Sequence, residues 1–118
     1  MEIAYMEPRL TREADRFIVV LYNAYLANRK EGMTREKAAY MGHANELLEL
    51  AKKDMPKITE DDVFSYSAEL KKAGYVIAEY ANNTVYDLEI TAHAIVELEN
   101  RFNDSVKGVL SFLAQFIP

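Results

Sequence analysis

The dipeptide Asn82-Asn83, set between two stretches rich in tyrosine, isoleucine, valine and leucine, constrains the chain more than any other feature. Asparagine tolerates the positive φ that a type I′ turn demands at its central positions, so the flanking residues read as a hairpin over 75–90. With a two-residue turn, Ala81 faces Thr84, Ile77 faces Leu88 and Tyr75 faces Ile90, so one face is apolar on both strands. The other face then carries Val76 opposite Glu89 and Ala78 opposite Asp87, which is a solvated side.

Capped helices bracket this hairpin. Thr59 with Asp62 three residues on is a capping box, and it predicts a helix over 60–73 that Gly74 ends. Val63, Tyr66, Ser67 and Leu70 fall on its inner face, and Asp61, Asp62, Ser65, Glu69 and Lys72 on its outer one. Thr91 caps a helix over 92–102 with Ile95, Leu98 and Phe102 as its stripe. Residues 104–117 form a last helix whose one face holds Val106, Val109, Leu110, Leu113, Phe116 and Ile117, widened by Phe112. Such a stripe either covers the core or pairs with its two-fold mate in a homodimer.

Upstream, Ile3 to Met6 is an edge strand or an arm laid on the core. Thr11 caps a helix over 12–30, with Glu13 and Asp15 near its positive end. Ala14, Phe17, Ile18, Leu21, Ala24 and Tyr25 keep helical spacing, and Val20 and Tyr22 widen the stripe enough to make this the central helix of the core. Gly32 supplies a left-handed stop. Thr34 caps a segment over 34–54 with Met41, Ala44, Leu48, Ala51 and Met55 on one stripe, Leu47 beside it, and Pro56 beyond. Gly42 in its middle leaves two versions open, one helix or two.

At 118 residues the chain is expected to form one domain spanning 1–118. It has no cysteine, which excludes disulfides and thiolate chemistry. Its longest apolar run, Phe17 to Tyr22, is far short of the roughly 20 residues a bilayer span needs, and the acidic N-terminus lacks a signal-peptide pattern. A cytoplasmic protein is expected. The net charge of −5 is unevenly placed: residues 1–58 hold ten Lys/Arg against nine Asp/Glu, and residues 59–118 hold four against ten. The hairpin and its flanking helices therefore lie in the acidic half, the reverse of the usual nucleic-acid binder.

The run E-L-K-K-A-G-Y-V (Glu69 to Val76), a hairpin, then Y-D-L-E-I-T (Tyr86 to Thr91) followed by A-I-V-E-L-E resembles the second half of bacterial winged-helix proteins. It is most similar to the small prophage-associated YjcQ-like family and more distantly to PadR- and MarR-type regulators, over roughly residues 59–110. The resemblance implies an α+β winged helix-turn-helix domain with a two-stranded wing and an extra C-terminal amphipathic helix, acting as a non-catalytic, transcription-regulator-like binder of double-stranded DNA. Helix 60–73 is then the recognition helix. Ser65, Glu69 and Lys72 would meet base edges, and Lys57, Lys71, Asn82 and Asn83 phosphate or the minor groove. Two positions depart from the family pattern: Ala94 stands where glycine is usual, and the wing tip Ala81 to Thr84 carries no basic residue. The same fold is also compatible with a protein-interaction module whose acidic face docks a basic partner or mimics nucleic acid. A second register places Ala38, Gly42 and Leu48 at the spacing of an ordinary helix-turn-helix.

Other chemistry has little support. There is no glycine-rich phosphate loop, no G-x-S-x-G elbow, and the pair Asp61-Asp62 sits at a helix start where capping accounts for it. His43 and Glu46 lie one helical turn apart, but a third metal ligand is not visible. No cofactor is implied. The eight tyrosines, Tyr22, Tyr25, Tyr66, Tyr75 and Tyr86 among them, fit the rim of a core better than a ligand pocket.

Overall fold

In a computed structural model, residues 10–103 and 105–115 are described, and they form an α+β arrangement of six helices and one antiparallel hairpin. The segment Ile3 to Met6 and the residues Phe116 and Ile117 lie outside the described residues. The helices are α1 (Arg12–Lys30), α2 (Arg35–Ala39), α3 (Ala44–Lys52), α4 (Glu60–Lys72), α5 (Ala92–Phe102) and α6 (Val106–Ala114). The hairpin strands β1 (Val76–Ala81) and β2 (Thr84–Ile90) lie between α4 and α5. Among the described residues no helix is long and apolar enough to cross a membrane.

Helix starts follow the local chemistry. The hydroxyls of Thr11, Thr34, Thr59, Thr91 and Ser105 each accept from the amide three residues on, which satisfies one of the donors a helix start leaves free. At Thr59 the box closes, because the Asp62 carboxylate accepts from the Thr59 N–H at 3.0 Å.

α1 is the hub of the core. Phe17 through Tyr22 are six consecutive buried residues, and α1 touches each of the other five helices. So continuous a buried run means that opposite sides of the helix are covered at once. Val109 and Leu113 of α6 are also buried in this core, at 0% and 1% exposure, whereas Val106 and Leu110 are exposed. The C-terminal stripe thus divides between the chain's own interior and its surface. The start of α1 is tied to the end of α5 by a two-pronged pair, with Arg101 donating to both carboxylate oxygens of Asp15 at 2.8 and 3.0 Å.

Segment 34–54 is two helices. Gly42 adopts φ +91°, and Tyr40 at the end of α2 is extended, so the chain leaves helical geometry before α3 begins. In that gap Tyr40 forms a β-bridge with Glu89 and the Met41 N–H donates to the Leu88 carbonyl at 2.8 Å, adding a short third rung to the sheet beside β2. The expected stripe is adjusted as well, since Leu47 is fully buried and Leu48 only half-buried.

The hairpin turn is where the dipeptide places it, with Asn82 and Asn83 at φ 54° and 60° and Ala81 paired with Thr84. The register below the turn is corrected. A bulge between Glu79 and Tyr80 on β1 leaves Tyr86 of β2 without a partner, so Ile77 pairs with Glu89, Ala78 with Leu88 and Val76 with Ile90. Val76, Ala78, Val85, Leu88 and Ile90 are buried, while Ile77 is 59% exposed. A single supernumerary residue moves every side chain beyond it to the other face, and strict alternation cannot reveal it. Tyr75 lies ahead of β1 and its carbonyl accepts from the Thr91 N–H at 3.1 Å.

Candidate nucleic-acid interface

α4 is held by its inner face. Val63, Ser67 and Leu70 are fully buried, and the Tyr66 ring lies 5.9 Å from that of Phe17 on α1. Phe64 meets Tyr80 of β1 edge-on at 5.1 Å, so helix and hairpin are locked to one another. Burial pushes up the phenols of Tyr66 and Tyr80, and at Tyr66 the carboxylates of Asp62 and Glu13 push the same way. The turn leading into α4 is anchored by buried Met55 and Ile58, which leaves Lys57 between them exposed.

The seven residues expected to touch nucleic acid separate into two groups. Ser65 and Lys72 are exposed on α4 two turns apart, Asn82 and Asn83 are exposed at the hairpin turn, and Lys57 is exposed in the turn before α4. Glu69 and Lys71 are engaged elsewhere. The Glu69 carboxylate accepts from the Thr11 N–H at 2.6 Å and from the Thr11 hydroxyl at 2.9 Å, so it closes the start of α1 instead of facing outward. Lys71 places its Nζ 5.0 Å from the centre of the Tyr80 ring, a cation held over an aromatic face. Neither contact was visible in the periodicity of α4, because each partner comes from another element.

The surroundings are acidic. Glu60 and Asp61 are exposed at the leading end of α4, and Asp62 beside them is half-exposed in the capping box. Beneath the turn, Glu13, Arg16, Lys57, Asp62 and Tyr66, with apolar Met55, Pro56 and Ile58, line a cleft of about 290 Å³.

His43 and Glu46 are occupied locally. The Glu46 carboxylate accepts from the His43 N–H at 2.9 Å, and His43 Nδ1 bonds the Tyr86 carbonyl, which makes Nδ1 the protonated nitrogen. That bond holds the backbone at the one position where the sheet ladder is interrupted. Beside it the Tyr40 hydroxyl donates to the Asp87 carboxylate. This bond, reinforced by the nearby negative charge, pushes the Tyr40 phenol up to about 12. The two contacts brace the hairpin against the α2–α3 connection, and sequence reading anticipated neither.

No protein-family model matches this chain, and no curated protein or solved structure matches it either.

Proposed function

We propose that the chain is a winged-helix domain of the transcription-regulator type, non-catalytic, with α4 as its reading helix and the β1–β2 hairpin as its wing. One observation carries this reading. The order α2, extended Tyr40 bridged to Glu89, α3, turn, α4, hairpin is helix, strand, helix, helix and two-stranded wing, with the short strand lying beside β2. That order also favours α3 and α4 as the helix-turn-helix over the register centred on Gly42, where an extended segment stands. Duplex DNA would be met by Ser65 and Lys72 of α4, by Lys57 ahead of it, and by Asn82 and Asn83 at the wing tip, all exposed.

Fluorescence anisotropy of a labelled mixed-sequence duplex at low salt tests this. Binding whose affinity falls steeply as salt rises, and which weakens on Lys72→Glu, is the expected result. Absence of binding at about 50 μM protein, weaker than ordinary non-specific affinity, would sink the reading.

A second reading is favoured by Glu60 and Asp61, which put carboxylates at the helix end that commonly enters a groove. In it the acidic face of α4 docks a basic protein, and Asp61→Lys abolishes that docking without creating a stable fold change.

A further inference from the structure

The outer face of the sheet, turned away from α4, is the most unusual surface among the described residues. Alternation along β1 sends Val76, Ala78 and Tyr80 inward toward α4 and leaves Ile77 and Glu79 outside. On β2 the bulge leaves two consecutive residues, Tyr86 and Asp87, off the buried side, with buried Val85 and Leu88 flanking them. Tyr40 joins this face from the α2–α3 connection through its bridge to Glu89 and its bond to Asp87. The result leaves two large apolar side chains in solvent on this face, Ile77 at 59% and Tyr40 at 47% exposure, while exposed Tyr86 stands against the His43 ring and lines a separate cleft with Ala44, Asn45 and Glu60. Between Tyr40 and Ile77 lies a shallow cleft of about 130 Å³ edged by Glu79, Asp87 and Glu89. Neither strand contains a lysine or arginine.

Exposed apolar surface edged by Glu79, Asp87 and Glu89 selects its occupant by charge. An anionic duplex or an anionic bilayer is repelled, and a second copy presenting the same face meets its own charges. A lysine or arginine side chain fits both parts at once, because its aliphatic stem can lie on Ile77 and the Tyr40 ring while its head reaches the carboxylates. We propose that this outer sheet face docks a Lys/Arg-rich segment of another protein, with one aliphatic side chain of that segment seated in the Tyr40–Ile77 cleft. No residue of α4 lines the Tyr40–Ile77 cleft, so it operates whether or not α4 binds DNA.

The test uses the full chain, isotopically labelled, titrated with a short capped peptide of alternating arginine and leucine and followed by amide chemical shifts. Saturable shifts centred on residues 40, 77, 79 and 87–89 are expected, with affinity weakened about tenfold by Glu89→Lys and by Ile77→Ser, and little changed by Asp61→Lys. Ile77 is exposed and Glu89 half-exposed, and an unchanged circular dichroism spectrum verifies the fold of both variants. Shifts centred on residues 60–62, equal weakening by Asp61→Lys, or no shift at about 1 mM peptide overturns the proposal. An otherwise identical peptide with glutamate in place of arginine is expected not to bind, and binding by it would likewise overturn charge complementarity.

Discussion

Glu69 and Thr11, 58 residues apart in the chain, are joined by two hydrogen bonds through which one carboxylate seals the first turn of the longest helix. The side chain of Thr11 is meanwhile the acceptor for the Ala14 N–H, so Glu69 completes a relay across the start of α1. Glu69→Ala is expected to cost about 1 kcal/mol, the range for a charged hydrogen bond at a partly exposed site, read as a lower midpoint in urea. If Glu69 instead read a base, stability would stay constant and duplex affinity would change.

Two leucines on α6 are expected to behave in opposite ways. Leu113 is buried against the core, so Leu113→Glu places an unpaired charge in an apolar interior and costs about 3 kcal/mol or more, seen as loss of the cooperative unfolding transition. Leu110 is 48% exposed, and Leu110→Glu is expected to stay within about 0.5 kcal/mol of the parent. Sedimentation of the Leu110 variant also reports on pairing: if α6 mediates a homodimer, this change yields a folded monomer.

Ultraviolet titration isolates Tyr40 as the difference between the parent and Tyr40→Phe. The parent phenol is expected to titrate near 12, and Asp87→Asn to return it toward the ordinary value of 10.0, because the hydrogen bond to Asp87 is the largest cause of the shift. The protonated phenol is the form that donates, and its pKa is higher folded than unfolded. Its contribution to stability is therefore fully present below pH 10 and is lost as pH rises from 10 toward about 12.

Gly42 and Gly32 offer a matched pair. Both have positive φ, +91° and +96°, so alanine is strained at each. At Gly42 a Cβ would also run into the Glu46 carboxylate, whereas at Gly32 nothing among the described residues lies within 4 Å. Gly32→Ala is expected to cost about 1 kcal/mol, and Gly42→Ala more, because it also displaces the acceptor of the His43 N–H. Thermal unfolding of the two variants side by side measures the difference.

What could be read from the sequence is what is decided within a few residues. The caps at Thr11, Thr34, Thr59 and Thr91 are bonds spanning three positions, and the turn at Asn82-Asn83 depends on the conformational tolerance of those two side chains. The exposure of Ser65 and Lys72 follows from the period of α4 for the same reason. Glu69 and Lys71 sit on that helix too, but what occupies them arrives from α1 and β1, and no periodicity in residues 60–73 encodes Thr11 or Tyr80. The sequence leaves the split of 34–54 open because Gly42 is compatible with a weakened helix and with a left-handed break. Its choice depends on β2 accepting Tyr40 as a neighbour. Alternation assigns the inner and outer faces of the hairpin wrongly below the turn because it presumes equal residue counts on both strands, and the bulge breaks that equality.

The bulge at Tyr86 bears on which length changes the gene can sustain. Without Tyr86, β2 would run Val85 inward, Asp87 outward, Leu88 inward, an unbroken alternation opposite β1. Deleting one residue from a strand ordinarily turns its remainder inside out, yet removing Tyr86 is expected to leave every buried side chain of the sheet where it is and to give up only the His43 contact. A neighbouring deletion at Asp87 would also restore the count but would strip Tyr40 of its acceptor, and one at Leu88 would empty the core. The hairpin thus has one position at which it can shorten, and length variation among homologous chains is expected to fall there.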